Sequence, residues 1–183
     1  FARRGLRVRA PSSPLLYHLV LHDHSRTDQV SGNTMTTYPG GHCGGEDFVT
    51  GLHTRGDLEA CLRSQLEHNS VQPTLLVALG VDVVGLKQIN DTKGFLAGDK
   101  HLAAAAVKLI DAAKSSHLRS RLGGDELVAI FLGDRAVENA IAAKEKMLMC
   151  QKPPKIRCGI VPAAAGDTSA SLIERLYAAI RKA

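Results

Sequence analysis

The chain has 183 residues, 44% of them hydrophobic and 22% charged, with 23 basic against 18 acidic side chains and a formal net charge of +5. That is enough chain for one globular domain of ordinary size plus an appendage. No run approaches the roughly 18 apolar residues of a membrane span. The mild positive excess suits an anionic ligand without marking a nucleic-acid surface, and 4% aromatics with no tryptophan argue against a base-stacking platform.

Residues 1 to 45 differ from the rest. An arginine-rich start with prolines at 11 and 14 leads into Leu15–His22, which reads as one strand, and then into a polar stretch with Ser31-Gly-Asn and Pro39-Gly-Gly. We expect an N-terminal arm or linker, with that strand as the end of an upstream sensory domain. The chain opens on Phe1, so a longer or membrane-attached cytoplasmic protein is expected around it. His22, His24, His42 and Cys43 lack tetrahedral zinc spacing and read as solvated loop residues. Cys61, Cys150 and Cys158 show no C-x-x-C spacing and read as buried free thiols of a reducing cytosol. Gly44-Gly-Glu-Asp-Phe48 has no strand before it and reads as linker.

Leu58, Cys61, Leu62 and Leu66 recur at helical spacing, predicting an amphipathic helix from Thr54 to about His68 that Asn69-Ser-Val-Gln-Pro73 ends. Thr74-Leu-Leu-Val-Ala-Leu-Gly-Val-Asp-Val-Val84 is a β-branched apolar run interrupted by one charge, Asp82. A helix should open over 85–94. Gly98-Asp99 should cap the next helix, with Leu102, Ala106, Leu109 and Ile110 inward. Arg119-Ser-Arg then meets Leu127–Leu132 across Gly123-Gly-Asp-Glu126, a hairpin signal in which both glycines can take positive φ. A helix from Asp134 or Arg135 to about Cys150, a strand over Lys155–Val161 and a final helix capped by Ser169 or Ser171 complete the domain, the last helix facing Leu172, Leu176 and Ile180 inward. The order predicts an α/β (α+β) sandwich, a central mainly antiparallel sheet flanked by helices over residues 46–183.

Asp125 and Glu126, side by side at a sheet rim, repel each other unless a cation lies between them. A hard divalent ion such as Mg²⁺, with phosphate as its usual company, fits that need. An isolated run of this kind is more readily read as a solvated turn. Asp82 changes that, because a lone charge in a buried strand costs several kcal/mol unless it is paired or metal-bound.

Gly123-Gly-Asp-Glu-Leu127 after Arg121-Leu122 resembles the signature of the GGDEF domain, the catalytic unit of bacterial diguanylate cyclases. Asp82-Val-Val-Gly-Leu-Lys-Gln-Ile-Asn-Asp-Thr-Lys-Gly-Phe-Leu-Ala-Gly-Asp99 is similar to that family's D-x-D-x-F-K-x-I-N-D-x-x-G-H-x-x-G-D block, and Asp47–Arg55 to its D-x-L-T-G-L-x-N-R opening. The resemblance spans about residues 47–180. It implies a fold like nucleotide-cyclase and polymerase palm domains, and a reaction condensing two GTP into cyclic di-GMP and two pyrophosphates in a homodimer. It further implies Asp125 as general base and metal ligand, with Glu126, Asp82 and the Val83 carbonyl completing a shell for Mg²⁺, or Mn²⁺ in its place. Lys87 and the N–H groups of Gly85 and Leu86 would steady the phosphates, Gly123 and Gly124 would form the turn beside the substrate, and Asn90 and Asp99 would read guanine.

Several positions depart from that pattern. Val84 stands for the second Asp, Leu86 for the Phe and Phe95 for the His. Ile180 stands where the family's L-Y-x-A-K has a phosphate-binding lysine, and Lys114-Ser-Ser-His117 replaces the inhibitory R-x-x-D, so product feedback is not expected there. The alternative is a degenerate module that binds GTP or cyclic di-GMP as a non-catalytic sensor. No nucleic acid or membrane partner is expected for this segment.

Overall fold

The computed structural model describes residues 45–69 and 75–183. The expected arm with its strand at Leu15–His22, the histidines at 22, 24 and 42, Cys43 and the helix stop over 70–73 lie outside the described residues.

Among the described residues nine elements follow one another: α1 (Arg55–Asn69), β1 (Leu76–Val83), α2 (Leu86–Lys93), α3 (Phe95–Ala112), β2 (Leu118–Arg121), β3 (Glu126–Leu132), α4 (Ala136–Met149), β4 (Ile156–Pro162) and α5 (Ser169–Arg181). The strands form a four-stranded sheet in the order β2-β3-β1-β4, and every neighbouring pair is antiparallel. Being central, β1 is covered on both faces, which is why its sequence is almost continuously apolar rather than alternating. Its Val77, Leu79, Val81 and Val83 join Leu127, Ala129 and Phe131 of β3 under α3 and α4. Leu76 and Ala78 join Val128 and Ile130 under α1 and α5. The result is three layers, helix pair, sheet and helix pair.

Local chemistry sets the boundaries. Thr54 begins α1 with a reciprocal cap: its N–H and hydroxyl donate to Asp57 Oδ2 at 3.0 and 2.6 Å, and the Asp57 N–H returns to Thr54 Oγ1 at 3.4 Å. The last helix is capped by Thr168, not by Ser169 or Ser171 as expected; Ser171 is the far half of a capping box that Thr168 closes. The third helix also begins earlier than expected. Gly94, at φ 82°, ends α2 and starts α3, so Gly98 and Asp99 sit inside its first turns instead of capping it.

Two further expectations are corrected. Gly123 and Gly124 are absent from the described glycines with positive φ, which are Gly51, Gly85, Gly94, Gly133 and Gly166. Four residues, Leu122–Asp125, separate β2 from β3, and a loop of that length reverses the chain without the left-handed pair a two-residue turn needs. Residues 45–53 are likewise no free linker. Asp47 Oδ1 accepts from the Thr50 N–H and hydroxyl at 2.9 and 2.7 Å, closing a turn. Next to it the His53 N–H donates to the Arg119 carbonyl at 3.0 Å, and the Arg121 N–H to the His53 carbonyl at 2.8 Å, so the segment covers the β2 edge. Cys61 and Cys158 are buried free thiols, their pKa values pushed up to about 11 by burial, but Cys150 is exposed at the end of α4.

Helix α5 lies unusually close to the sheet because Gly80 and Gly159 face each other across β1 and β4. A Cβ on Gly80 would stand 2.6 Å from Ile180 Cδ1 and 2.9 Å from Leu176 Cγ, whereas one on Gly159 would stand 2.6 Å from both the Ala179 carbonyl carbon and the Ile180 nitrogen. Side-chain tips can turn aside; a helix backbone cannot. Gly159→Ala should therefore cost about 2–3 kcal/mol and Gly80→Ala about 1 kcal/mol, read as a fall in the urea midpoint at unchanged slope. Adding Ile180→Val should restore part of the loss in Gly80→Ala and little of that in Gly159→Ala.

Candidate active site

The site forms where β1 ends beside the β2–β3 turn. Asp82 pairs with Glu126 in the β1–β3 register and with Arg157 in the β1–β4 register, so three charged side chains stand in a row across three strands. The Val83 N–H donates to the Asp125 carbonyl at 3.0 Å, closing the turn against the end of β1. The carboxylates of Asp82, Asp125 and Glu126 each offer an oxygen, and these oxygens lie within 4.8 Å of one another. This separation suits a shared divalent ion and is unfavourable without a cation.

Electrostatics records that surplus. Burial, then the charge and side-chain hydrogen bond of neighbouring Asp125, and then the charge of Asp82 hold the Glu126 carboxyl above the usual carboxylate range. Tyr177 of α5 feels the same field: its phenol is pushed up by burial and then by the charge of Glu126. Gly123 makes room for this arrangement, since a Cβ there would stand 2.2 Å from Glu126 Oε2. At Gly124 a Cβ would meet nothing within 4 Å.

From the acidic end a cavity of about 430 Å³ runs along α2 and α3, lined by Leu86, Lys87, Asn90, Phe95, Asp99 and Asp125 among others. That is the size range of small-ligand sites. Gly85, at φ 81°, turns the chain into α2; the N–H groups of a helix's first turn have no partner within the helix and suit an anion. Further in, the Asn90 carboxamide oxygen is buried without a hydrogen-bond partner, a state that costs about 1–3 kcal/mol until a donor arrives. It is pressed against Gly98, where a Cβ would stand 1.7 Å from that oxygen. Phe95, which lines the cavity, is 78% exposed.

The structure thus brings Asp82, Asp125 and Glu126 together and puts Leu86, Lys87, Asn90, Asp99 and Gly124 on one cavity, with Asp125 common to both. Val83, Gly85 and Gly123 flank it without lining it. Ile180 is 3% exposed in the core against Gly80, so position 180 offers the site no cation.

Two arginines carry roles that motif reading passed over. Arg121 donates to the Gly123 carbonyl at 3.0 Å, the Gly124 carbonyl at 2.8 Å and Asp47 Oδ2 at 2.9 Å, fastening the turn to the 45–53 segment. Its place two residues before Gly123 was the available signal. Arg157 donates through Nε and Nη2 to Asp82 Oδ2 at 3.0 and 2.8 Å. Thus Asp82, expected to need a cation, has one from the protein itself. Only the strand register reveals that partner, because 75 residues separate the two.

Residues 45–182 match the family model described as diguanylate cyclase, GGDEF domain. Among curated proteins, the chain is 33% identical over 103 residues to the response regulator PleD of Caulobacter vibrioides, covering 56% of this chain and 22% of that protein. It is 36% identical over 101 residues to the probable diguanylate cyclase DgcC of Escherichia coli, covering 53% and 26%. An uncharacterized Streptomyces griseus protein is 30% identical over 126 residues, and the chain spans only 52% of its length. Among solved structures, a sensory box/GGDEF family protein from Caulobacter crescentus superposes with a TM-score of 0.64 at 26% identity, covering 75% of this chain and 96% of that one. The GGDEF domain of DgcB from the same organism, in complex with c-di-GMP, gives a TM-score of 0.68 at 20% identity, covering 84% and 92%, a likeness of fold. Among the described residues, no helix is long and apolar enough to cross a membrane.

Glu126 yields a stability prediction whose sign is fixed. Its folded-state pKa is raised, so the folded chain binds its proton more tightly than the unfolded chain and loses stability as the pH rises from mildly acidic to neutral. Glu126→Gln removes that loss. In metal-free buffer at pH 7 the variant should melt roughly 1–3 °C higher than the wild type, a figure kept small for solvent screening, and the gap should close towards pH 4.

Proposed function

The chain belongs to the GGDEF-domain family of diguanylate cyclases, and we propose that it is itself a diguanylate cyclase. It would condense two GTP into cyclic di-GMP and two pyrophosphates across a homodimer. The observation that carries this reading is the meeting of Asp82, Asp125 and Glu126, with Asp125 also lining the cavity that Asn90 and Asp99 line.

The residues present fit a divalent ion: three carboxylates converge, and burial and the neighbouring Asp125 charge hold the Glu126 carboxyl above the usual carboxylate range. Asp82, Asp125, Glu126 and the Val83 carbonyl would hold Mg²⁺, with Mn²⁺ as substitute. When bound, it supplies charge neutralisation for the phosphates and the departing pyrophosphate. Lys87 and the first N–H groups of α2, at Gly85 and Leu86, bind the phosphates. Gly123 and Gly124 let the turn backbone come close to them.

Asn90 and Asp99 select the base. The Asn90 oxygen needs a donor, and the Asp99 carboxylate accepts from the N1–H and N2–H₂ groups that guanine has and adenine lacks. Asp125 takes the proton of the ribose 3′-hydroxyl as its oxygen attacks the α-phosphorus of the facing GTP. The new 3′-O–P bond forms as the bond to the β-phosphate oxygen breaks, and pyrophosphate leaves with that electron pair. Two such transfers close the ring. One site holds only one of the two nucleotides, so the second protomer is part of the chemistry.

A second reading, a module that binds GTP or cyclic di-GMP without turnover, is favoured by one observation. Ile180 is buried where the resemblance expects a phosphate-binding lysine.

Incubation of the chain with GTP and Mg²⁺ followed by chromatography separates the two. Cyclic di-GMP that falls at least 100-fold in Asp125→Ala, which removes base and ligand together, supports the cyclase. Tight GTP binding without product supports the module. Gly98→Ala tests the base pocket separately: by displacing the Asn90 carboxamide it should cut the preference for GTP over ATP by roughly 5–20-fold, measured in competition binding, with the melting temperature little changed.

A further inference from the structure

We propose that Arg157 is a built-in competitor of the divalent ion, setting how much metal the acidic rim needs before it can hold a nucleotide. The proposal rests on the metal site described above and goes beyond it, because Arg157 belongs to none of the sequence blocks that mark the family resemblance.

Three observations carry it. Arg157 is the direct cross-strand neighbour of Asp82, with Glu126 in the matching position on the other side. Both donors, Nε and Nη2, converge on the single oxygen Oδ2, at 3.0 and 2.8 Å. The Asp82 side chain is 13% exposed while that of Arg157 is 46% exposed, so the carboxylate is fixed and the guanidinium has solvent to move into. The partner is permanent in charge, since a guanidinium does not lose its proton at any relevant pH.

The consequence follows from charge alone. Three carboxylates and one guanidinium leave two net negative charges where an ion would otherwise meet three. An ion that uses Asp82 Oδ2 must displace the guanidinium. An ion that uses only Oδ1 binds with a positive group well inside a Debye length, where salt screens little. Either way, affinity falls. The opposing expectation is that Arg157 acts as an orienting partner, as hydrogen-bonding neighbours of metal ligands commonly do, in which case its loss would weaken the ion.

The two differ in sign, and glutamine separates them, since it can still donate a hydrogen bond across the strand pair but carries no charge. The experiment is a Mn²⁺ titration of the full chain without nucleotide, with free Mn²⁺ followed by its EPR signal, for wild type, Arg157→Gln, Arg157→Lys and Asp82→Asn. Arg157 lies on edge strand β4 and is half exposed, so neither replacement disturbs the core. We expect Arg157→Gln to bind Mn²⁺ about 5–10-fold more tightly than wild type and Arg157→Lys to stay within roughly twofold.

Equal affinities of wild type and Arg157→Gln, or weaker binding by the variant, overturn the competitor while leaving the metal site standing. Absence of Mn²⁺ binding in both, or binding untouched by Asp82→Asn, overturns the metal reading and this proposal with it.

Discussion

The antiparallel pairing of β1 with β3 in a register that sets Asp82 opposite Glu126 is the constraint on which everything else depends. A slip of one residue would turn each side chain of β1 to the other face, sending Asp82 under α3 and α4 and Val81 to the rim. The register survives the repulsion it creates for a reason of magnitude. Leu76, Val77, Leu79, Val81, Leu127, Ile130 and Phe131 are all at most 1% exposed, and each contributes about 1.5–3 kcal/mol by burial. Like charges at a half-exposed rim cost far less. The two-sided core therefore imposes the acidic cluster on the chain, and the cluster has no vote.

What distinguishes these carboxylates from the others is how little the protein does for Asp125 and Glu126. Burial raises the Asp47 carboxyl, but hydrogen bonds from the Thr50 hydroxyl and N–H and from Arg121 more than offset it, leaving it below the usual range. Asp167 is treated alike: burial raises it, and the Ala164 N–H, Ser171 and Arg175 bring it down. Both fix turns. Glu126 instead receives burial and two like charges, so its shift has the opposite sign. A fold that satisfies two acids with dedicated donors and leaves a third under repulsion keeps that third group in a state that a cation relieves, which is the pattern of a functional site.

The fold was largely legible in the sequence because its two repeats are clean. Helical spacing over Leu58, Cys61, Leu62 and Leu66 and the apolar run into Asp82 predicted elements whose cores match. The misreadings share one cause. Gly94 and Thr168 took capping roles assigned to Gly98 and Ser169 or Ser171, and Gly123 serves as a gap beside Glu126 instead of a left-handed turn. A glycine or hydroxyl residue signals a boundary or a close approach, but which of these it provides depends on what packs against it. Arg157 and Tyr177 were hidden for a stronger reason. Each meets the acidic rim only through tertiary structure, one across a strand pair and the other from the last helix.

The distribution of positive charge then ties the sheet to the site. Gly80 and Gly159 draw α5 so close to β1 and β4 that residue 180 has space only for a compact apolar side chain: Ile180 Cδ1 already stands 2.6 Å from where a Gly80 Cβ would be. A lysine there would have to carry its ammonium out from a position 3% exposed, and the desolvation cost of stopping short is several kcal/mol. An apolar 180 and the glycine pair are thus one packing solution, and it removes a cation from the α5 side of the rim. On the neighbouring edge strand the same sheet presents Arg157, bound to Asp82 and half in water. The rim therefore keeps a fixed positive charge, but on the Asp82 carboxylate of β1 instead of on α5 at position 180. Charge at that place would act on the proposed ion first and on the proposed nucleotide only through it.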